Sequence, residues 1–171
     1  MLDFKSKIRT VEDFPKPGIS FKDITTLLKD KDAFHLAIET IAREFEDQEI
    51  EVVTGPEARG YIFASALAFR LGAGFVPIRK PGKLPWKTKR ISYALEYGED
   101  ALEVHEDAFH PGQRVLVVDD LLATGGTIRA TVDLVESLGA TVVGIGFLIE
   151  LGVLNGRNRL PGHKVVSLAK Y

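Results

Sequence analysis

Cysteine is absent from this chain, which excludes disulfides, thiolate nucleophiles and cysteine-ligated zinc. Long apolar runs are also missing, so nothing approaches a membrane span. The first residues, Met1-Leu2-Asp3-Phe4-Lys5, include an acid and do not read as a secretory leader. Neither sign of charge dominates. A net charge of −2 gives no global attraction to nucleic acid or to a membrane surface. Repeats, low-complexity tracts and Gly/Ser linkers are missing as well. The four histidines, His35, His105, His110 and His163, lack metal-ligand spacing and read as surface or satisfied side chains. What remains is an ordinary globular composition, 45% apolar and 27% charged over 171 residues, enough for a sizeable core. The expectation is one domain over residues 1–171, in the cytosol.

The most informative stretch is Val115-Leu116-Val117-Val118-Asp119-Asp120-Leu121-Leu122-Ala123-Thr124-Gly125-Gly126-Thr127. Its apolar start reads as a buried strand. Two carboxylates, a small-residue loop and a helical pattern follow. Ligands of open α/β sheets sit at the carboxyl ends of strands, and a helix N-terminus there attracts phosphate. Carboxylates repel phosphate but suit hydroxyl groups or a metal. A phosphate held close to a polyhydroxy ring is a sugar phosphate. The loop Ala123–Thr127 lacks the lysine of a Walker A motif. Its plainer reading is a turn with Thr124 as helix cap. Asp119 and Asp120 point to opposite faces if the strand persists through both.

Elsewhere strands and helices alternate. Met1–Phe14 reads as a short helix, and Phe14-Pro15-Lys16-Pro17-Gly18 as a turn. Asp32 is a candidate cap for a helix to Phe45, with Phe34, Ile38, Ile41 and Phe45 on one face. Val52–Thr54 reads as a strand. Arg59–Leu71 reads as a helix apolar nearly all round, expected to be buried and to stop at Gly72. Further strands are expected at Phe75–Ile78, Val142–Ile149 and Val165–Leu168, with a helix over Thr127–Leu138. The alternation implies an α/β fold, an open and mostly parallel twisted sheet with helices on both faces. Ile91–Tyr97 and Ala101–His105 alternate like a hairpin joined by Gly98-Glu99-Asp100. With the preceding basic loop they form an expected lid at residues 80–105.

Three further segments are candidates. Arg59 falls in the first turn of its helix, where the dipole disfavours a cation, so an anionic ligand is the expected offset. A surface arginine is the plainer reading. Arg79, Lys80, Lys83, Lys87, Lys89 and Arg90 occur with no acid between them, fit for neutralising a polyanion or simply solvated. Glu96, between Tyr93 and Tyr97, suits acid–base work if desolvated, and is otherwise an exposed strand glutamate.

Taken together these segments resemble the type I phosphoribosyltransferases, in the form Val-Val-Asp-Asp-Leu-Leu-Ala-Thr-Gly-Gly-Thr of the adenine branch. Phe14–Ile24, Gly55–Gly60, Ile78–Pro85 and Leu95–Gly98 match that branch in order, so the likeness spans nearly the whole chain. The resemblance implies a parallel α/β sheet with a small N-terminal hood. It implies transfer of the phosphoribosyl group from 5-phosphoribosyl 1-pyrophosphate to adenine, giving AMP and pyrophosphate with Mg²⁺, by a homodimer. Carried over by position, Ala123, Thr124, Gly125, Gly126 and Thr127 hold the 5′-phosphate. Asp119 and Asp120 hold the ribose hydroxyls. Ala58, Arg59, Arg79, Lys80 and Lys83 hold pyrophosphate. Ser20, Phe21, Lys22 and Leu151 form the adenine pocket, and Glu96 faces adenine N7. Arg59 and Glu96 are the catalytic candidates, and no protein ligand is assigned to the metal. Lys22 stands where the family often has arginine, and Trp86 carries no assignment. Two rivals remain at this point: a phosphoribosyltransferase for another nucleobase, and a non-catalytic sensor of the sugar pyrophosphate with this fold.

Overall fold

The computed structural model describes residues 3–94 and 99–171. Five strands form one sheet: β3 (Val52–Pro56), β4 (Gly74–Ile78), β7 (Arg114–Leu122), β8 (Thr141–Glu150) and β9 (Val165–Lys170). Their order is β4-β3-β7-β8-β9, and every pairing is parallel. Two antiparallel pairs stand outside it, β1 (Arg9–Val11) with β2 (Phe21–Asp23), and β5 (Thr88–Ala94) with β6 (Glu99–His105).

The period-2 alternation of a strand sorts side chains into two cores. Val53, Leu116 and Val118 face one side and pack with Ile38, Ile41 and Phe45 of α2 (Lys31–Phe45) and with Phe63 and Leu67 of α3 (Gly60–Leu71). Val52, Val115 and Val117 face the other, against Ile128, Val132 and Val135 of α4 (Gly126–Ser137) and Leu102 and Val104 of β6. Helices therefore lie on both faces, as the alternation implied. Each fully buried aliphatic or phenyl side chain contributes about 1.5–3 kcal/mol. The β5–β6 hairpin is anchored, not loose: Arg79 N–H donates to the Glu103 carbonyl at 2.9 Å and Glu103 N–H returns the bond at 2.7 Å.

Several expectations shift. The N-terminal segment is a 3-10 turn at Phe4–Lys7 followed by β1, not one helix. The cap of α2 is Asp30, whose carboxylate accepts from the N–H groups of Asp32 and Ala33. Helix α3 buries only one side, leaving Phe69 91% exposed. Glu99 and Asp100 belong to β6 and not to the hairpin turn. His105, read as satisfied, carries a buried Nε2 without a hydrogen-bond partner among the described residues.

Candidate functional site

Strand β7 runs on through Asp119 and Asp120 to Leu122 and then turns at Ala123-Thr124-Gly125 into α4. The cap of α4 is Gly125, at φ +83°, with no side-chain cap bond. Thr124 is therefore not the cap, and the glycine makes the turn. The first turn of α4 keeps amide donors that no helical carbonyl accepts, at the positive end of its dipole. A small cavity of about 80 Å³ opens there, walled by Asp119 and by the five residues Ala123 to Thr127.

A larger cavity of about 410 Å³ adjoins it. Asp119, Asp120, Ala58, Arg59, Lys80 and Thr127 are among its walls. Both acids thus border one space although the strand continues through them, and Asp119 borders both cavities. Asp120 is 4% exposed. Nε of Arg59 lies 2.9 Å from Oδ2 of Asp120, without the alignment of a hydrogen bond, so that buried oxygen is left without a bonded donor among the described residues. Asp119 Oδ1 accepts the Asp120 N–H at 2.8 Å. Burial raises the Asp119 carboxyl well above the ordinary range, and the neighbouring Asp120 charge adds to it. Burial also raises Asp120, against the opposing pull of Arg59. Two acids held in this unfavourable state mark a functional pocket more often than a structural one.

The second turn, between β3 and α3, brings Glu57, Ala58 and Arg59 to the same cavity. Arg59 is the cap residue of α3. Within the chain, Asp120 offsets the cation at that end. The guanidinium also lies 5.4 Å from the centre of the Phe21 ring, a cation–π distance. The loop after β4 supplies Arg79, Lys80 and Lys83, and none of the three is free. Arg79 Nη2 and Lys83 Nζ each approach Oε2 of Glu57 at 3.1 Å. Lys80 Nζ pairs with Asp100, whose Oδ2 also accepts from Tyr93 Oη at 3.2 Å. Thr127 Oγ1 lies 3.4 Å from the same Tyr93 hydroxyl, which links the hairpin to the Ala123–Thr127 turn.

The expected adenine residues are brought together only in part. Phe21 lies against Arg59, a wall of the cavity, without walling it itself, and Phe14 packs edge-on against Phe21 at 5.2 Å. Ser20 and Lys22 look elsewhere: Ser20 Oγ donates to Glu12, and Lys22 Nζ donates to Thr10 and sits 4.4 Å over the Tyr171 ring. Leu151 follows β8, its N–H donating to the Leu122 carbonyl at 2.9 Å. None of Ser20, Lys22 and Leu151 walls the larger cavity. Glu96 lies outside the described residues. Sequence reasoning missed Glu57, Tyr93 and Asp100. Glu57 stood inside a segment already singled out, Gly55–Gly60, but its partners are more than twenty residues away and leave no local signal.

A parallel sheet of this order, with a glycine turn at a helix N-terminus beside two buried acids, is an α/β protein with its candidate ligand site at the carboxyl ends of the strands. The chain belongs to the phosphoribosyl transferase family, whose domain pattern matches residues 23–165. It is 79% identical over 170 residues to adenine phosphoribosyltransferase of Symbiobacterium thermophilum, covering 99% of this chain and 100% of that one. It superposes on adenine phosphoribosyltransferase of Thermoanaerobacter pseudethanolicus with a TM-score of 0.95, at 55% identity over 98% of each chain. The enzyme of Saccharomyces cerevisiae, solved with adenine and an imino-altritol bisphosphate, gives 0.92 at 36% identity over 96% of each. Within the family, the chain therefore belongs with the adenine phosphoribosyltransferases.

Proposed function

We propose that this chain transfers the 5-phosphoribosyl group of 5-phosphoribosyl 1-pyrophosphate to N9 of adenine, releasing AMP and pyrophosphate. The observation that carries this reading is the start of α4, which has no side-chain cap, beside Asp119 and Asp120, with Arg59 paired to Asp120 on the wall of the same cavity. The amides of Ala123–Thr127 take the 5′-phosphate. Asp119 and Asp120 accept hydrogen bonds from the ribose hydroxyls. Ala58, Arg59, Arg79, Lys80 and Lys83 take the pyrophosphate. Phe21, with Ser20, Lys22 and Leu151 around it, lies toward the base.

In the reaction the C1′–O bond breaks, the electron pair leaves with pyrophosphate, and N9 forms the new bond to C1′ as its proton departs. Negative charge gathers on the leaving group. Arg59 and the 79–83 cations are preset toward that charge, the arrangement that lowers such barriers most. Those cations are already paired with Asp120, Glu57 and Asp100, which holds their side chains in place for the substrate. Protonated Glu96 would donate to adenine N7, drawing electron density into the ring as N9 loses its proton.

Magnesium fits this site as a guest of the substrate. Among the described residues no three metal-donor side chains converge, while the orphaned buried Oδ2 of Asp120 and the adjacent Asp119 offer hard oxygens. Hard oxygens suit magnesium, which keeps several waters when bound beside phosphates. When bound, it neutralises charge on the sugar pyrophosphate. Among the described residues no helix is long and apolar enough to cross a membrane. The reading includes the cytosol as location and the hairpin with its basic loop as a lid, both from the sequence pattern, and a homodimer as assembly, from the family resemblance.

The test is turnover of adenine, hypoxanthine, guanine and orotate with the sugar pyrophosphate and Mg²⁺. Adenine alone should react well, because 6-oxo purines leave polar groups unpaired in a site built for adenine. Comparable kcat/KM for hypoxanthine would remove the adenine assignment. Binding without pyrophosphate release would make the chain a sensor.

A further inference from the structure

An acid at the mouth of a pocket for a polyanion is a cost unless it performs a task. Glu57 is such an acid. Its side chain is only 10% exposed and lies between Ala58 and the 79–83 loop. Oε1 accepts the Lys80 N–H at 2.7 Å. Oε2 accepts from Arg79 Nη2 and from Lys83 Nζ, each at 3.1 Å. Its own N–H donates to the Ile78 carbonyl at 3.0 Å, which fixes the glutamate to the end of β4. One carboxylate thus ties down a main-chain amide and two cations from three different residues. Resting on the reaction assigned above, we propose that Glu57 is the positioning residue of the pyrophosphate subsite, gathering Arg79, Lys80 and Lys83 before the substrate arrives.

Donor capacity separates positioning from competition. A guanidinium has five N–H donors and an ammonium three. Arg79 spends Nη2 on Glu57 and Nη1 on the Lys83 carbonyl, and its buried Nε has no partner among the described residues. Lys83 spends one donor on Glu57. Each cation therefore keeps donors for phosphate oxygens while its side chain is already ordered. Ordering long cationic side chains costs rotamer entropy, and like charges in a five-residue span repel. Glu57 offsets both before binding. Its carboxyl is held below the ordinary range by Lys80 N–H, Lys83 and Arg79, against the opposing effect of its burial, so the charge that does the gathering is present at neutral pH. The substitution Glu57→Gln keeps the shape but removes the charge and turns an N–H₂ toward donors.

The experiment compares the full-length wild type, Glu57→Gln and Glu57→Asp by steady-state kinetics and by calorimetry with Mg²⁺-pyrophosphate and, separately, with AMP. Glu57→Gln should raise KM for the sugar pyrophosphate and the Kd for pyrophosphate about tenfold or more, with kcat at saturation and AMP affinity changed less than about threefold. Glu57→Asp should recover part of that loss. Unchanged or tighter pyrophosphate binding in Glu57→Gln would show a competitor and overturn the proposal. Equal loss of AMP and pyrophosphate binding in both variants would show a purely structural role and overturn it too. Should Glu57→Gln fail to fold, the same comparison of pyrophosphate with AMP in Glu57→Asp decides. A wild type that binds pyrophosphate but turns over no adenine would sink the reaction and leave the calorimetric comparison readable.

Discussion

Gly125 and Gly156 meet backbone to backbone behind the phosphate turn. A Cβ on Gly125 would lie 2.5 Å from the Gly156 carbonyl oxygen, and one on Gly156 would lie 2.2 Å from the carbonyl oxygen of Ala123. The segment after β8 is thus the back wall of the turn. It is held in turn by Arg157, whose guanidinium grips Glu150 and donates to the Val165 carbonyl at 2.9 Å.

Two glycine variants follow from that contact. Gly125→Ala meets both the clash and a φ of +83°, a left-handed conformation that costs about 1–2 kcal/mol for an L residue. Gly156→Ala meets the clash alone, worth about 1–3 kcal/mol. Both variants should melt earlier and bind AMP at least about tenfold more weakly, Gly125→Ala more so, while pyrophosphate affinity changes little. Calorimetry with each ligand reads this, and wild-type AMP affinity in Gly156→Ala would show that the back wall does not shape the turn.

Asp119→Asn should make the free chain more stable and less active. Burial and the Asp120 charge raise the Asp119 carboxyl in the folded state. A raised carboxyl binds more protons folded than unfolded, so stability is greatest below the unfolded value near 3.9 and is lost as pH rises through the folded value. That penalty grows as pH rises from the unfolded value toward the folded one, and asparagine removes it while keeping an oxygen to accept the Asp120 N–H. Each kcal/mol regained raises Tm by about 2–4 °C for a chain of this length. Thermal unfolding at pH 5 and pH 8 checks the sign: the gain of Asp119→Asn over wild type should be larger at pH 8.

Glu150 runs the other way. Its carboxyl is lowered chiefly by the Arg157 hydrogen bonds, with a further contribution from Ser167. Stability from this pair is present above the unfolded value of about 4.3 and is lost as pH falls through the lowered folded value. Arg157→Met leaves the acid with Ser167 and, at 3.8 Å, Lys170. A buried carboxylate left alone costs about 3–5 kcal/mol, and this one should cost less because the Arg157 side chain is 37% exposed. Adding Glu150→Gln should recover most of the loss. Urea midpoints for the two single variants and the double variant at pH 7 and pH 3.5 test it, and equal losses at both values would remove the charge from the explanation.

How much of this was legible in the sequence depends on distance along the chain. The β7–turn–α4 unit was readable because its strand run, acids, glycines and helical face are contiguous. The cap of α2 was misread because Asp30 and Asp32 are both good caps, and only the geometry of the Asp32 and Ala33 amides selects between them. The β1–β2 pair was invisible: three-residue strands pair Arg9 with Asp23 across a proline-rich turn, and no local periodicity records that. Helix α3 looked buried because composition cannot say how many sides of a helix are covered, and Phe69 lies on the uncovered one. The basic loop looked uniformly cationic for the same reason, since its acids, Glu57 and Asp100, come from other elements.

Glu96 stands outside the described residues, and its prediction rests on chemistry and sequence position. In the sequence it follows Tyr93 by three residues, and the Tyr93 hydroxyl reaches both Asp100 and Thr127 at the cavity. A protonated carboxyl donating to adenine N7 acts only as N9 forms its bond, so its removal should lower kcat and spare the sugar-phosphate contacts. Deleting one such donor from a desolvated site costs about 10²–10³-fold. Glu96→Ala should therefore lower kcat at least about 10²-fold and leave KM for the sugar pyrophosphate within about threefold. Glu96→Gln still carries an N–H donor and should lose less than Glu96→Ala. A loss under tenfold in Glu96→Ala would remove the carboxyl from the reaction, and equal losses in both variants would mean that its ionisation, not its donor, is what the enzyme uses.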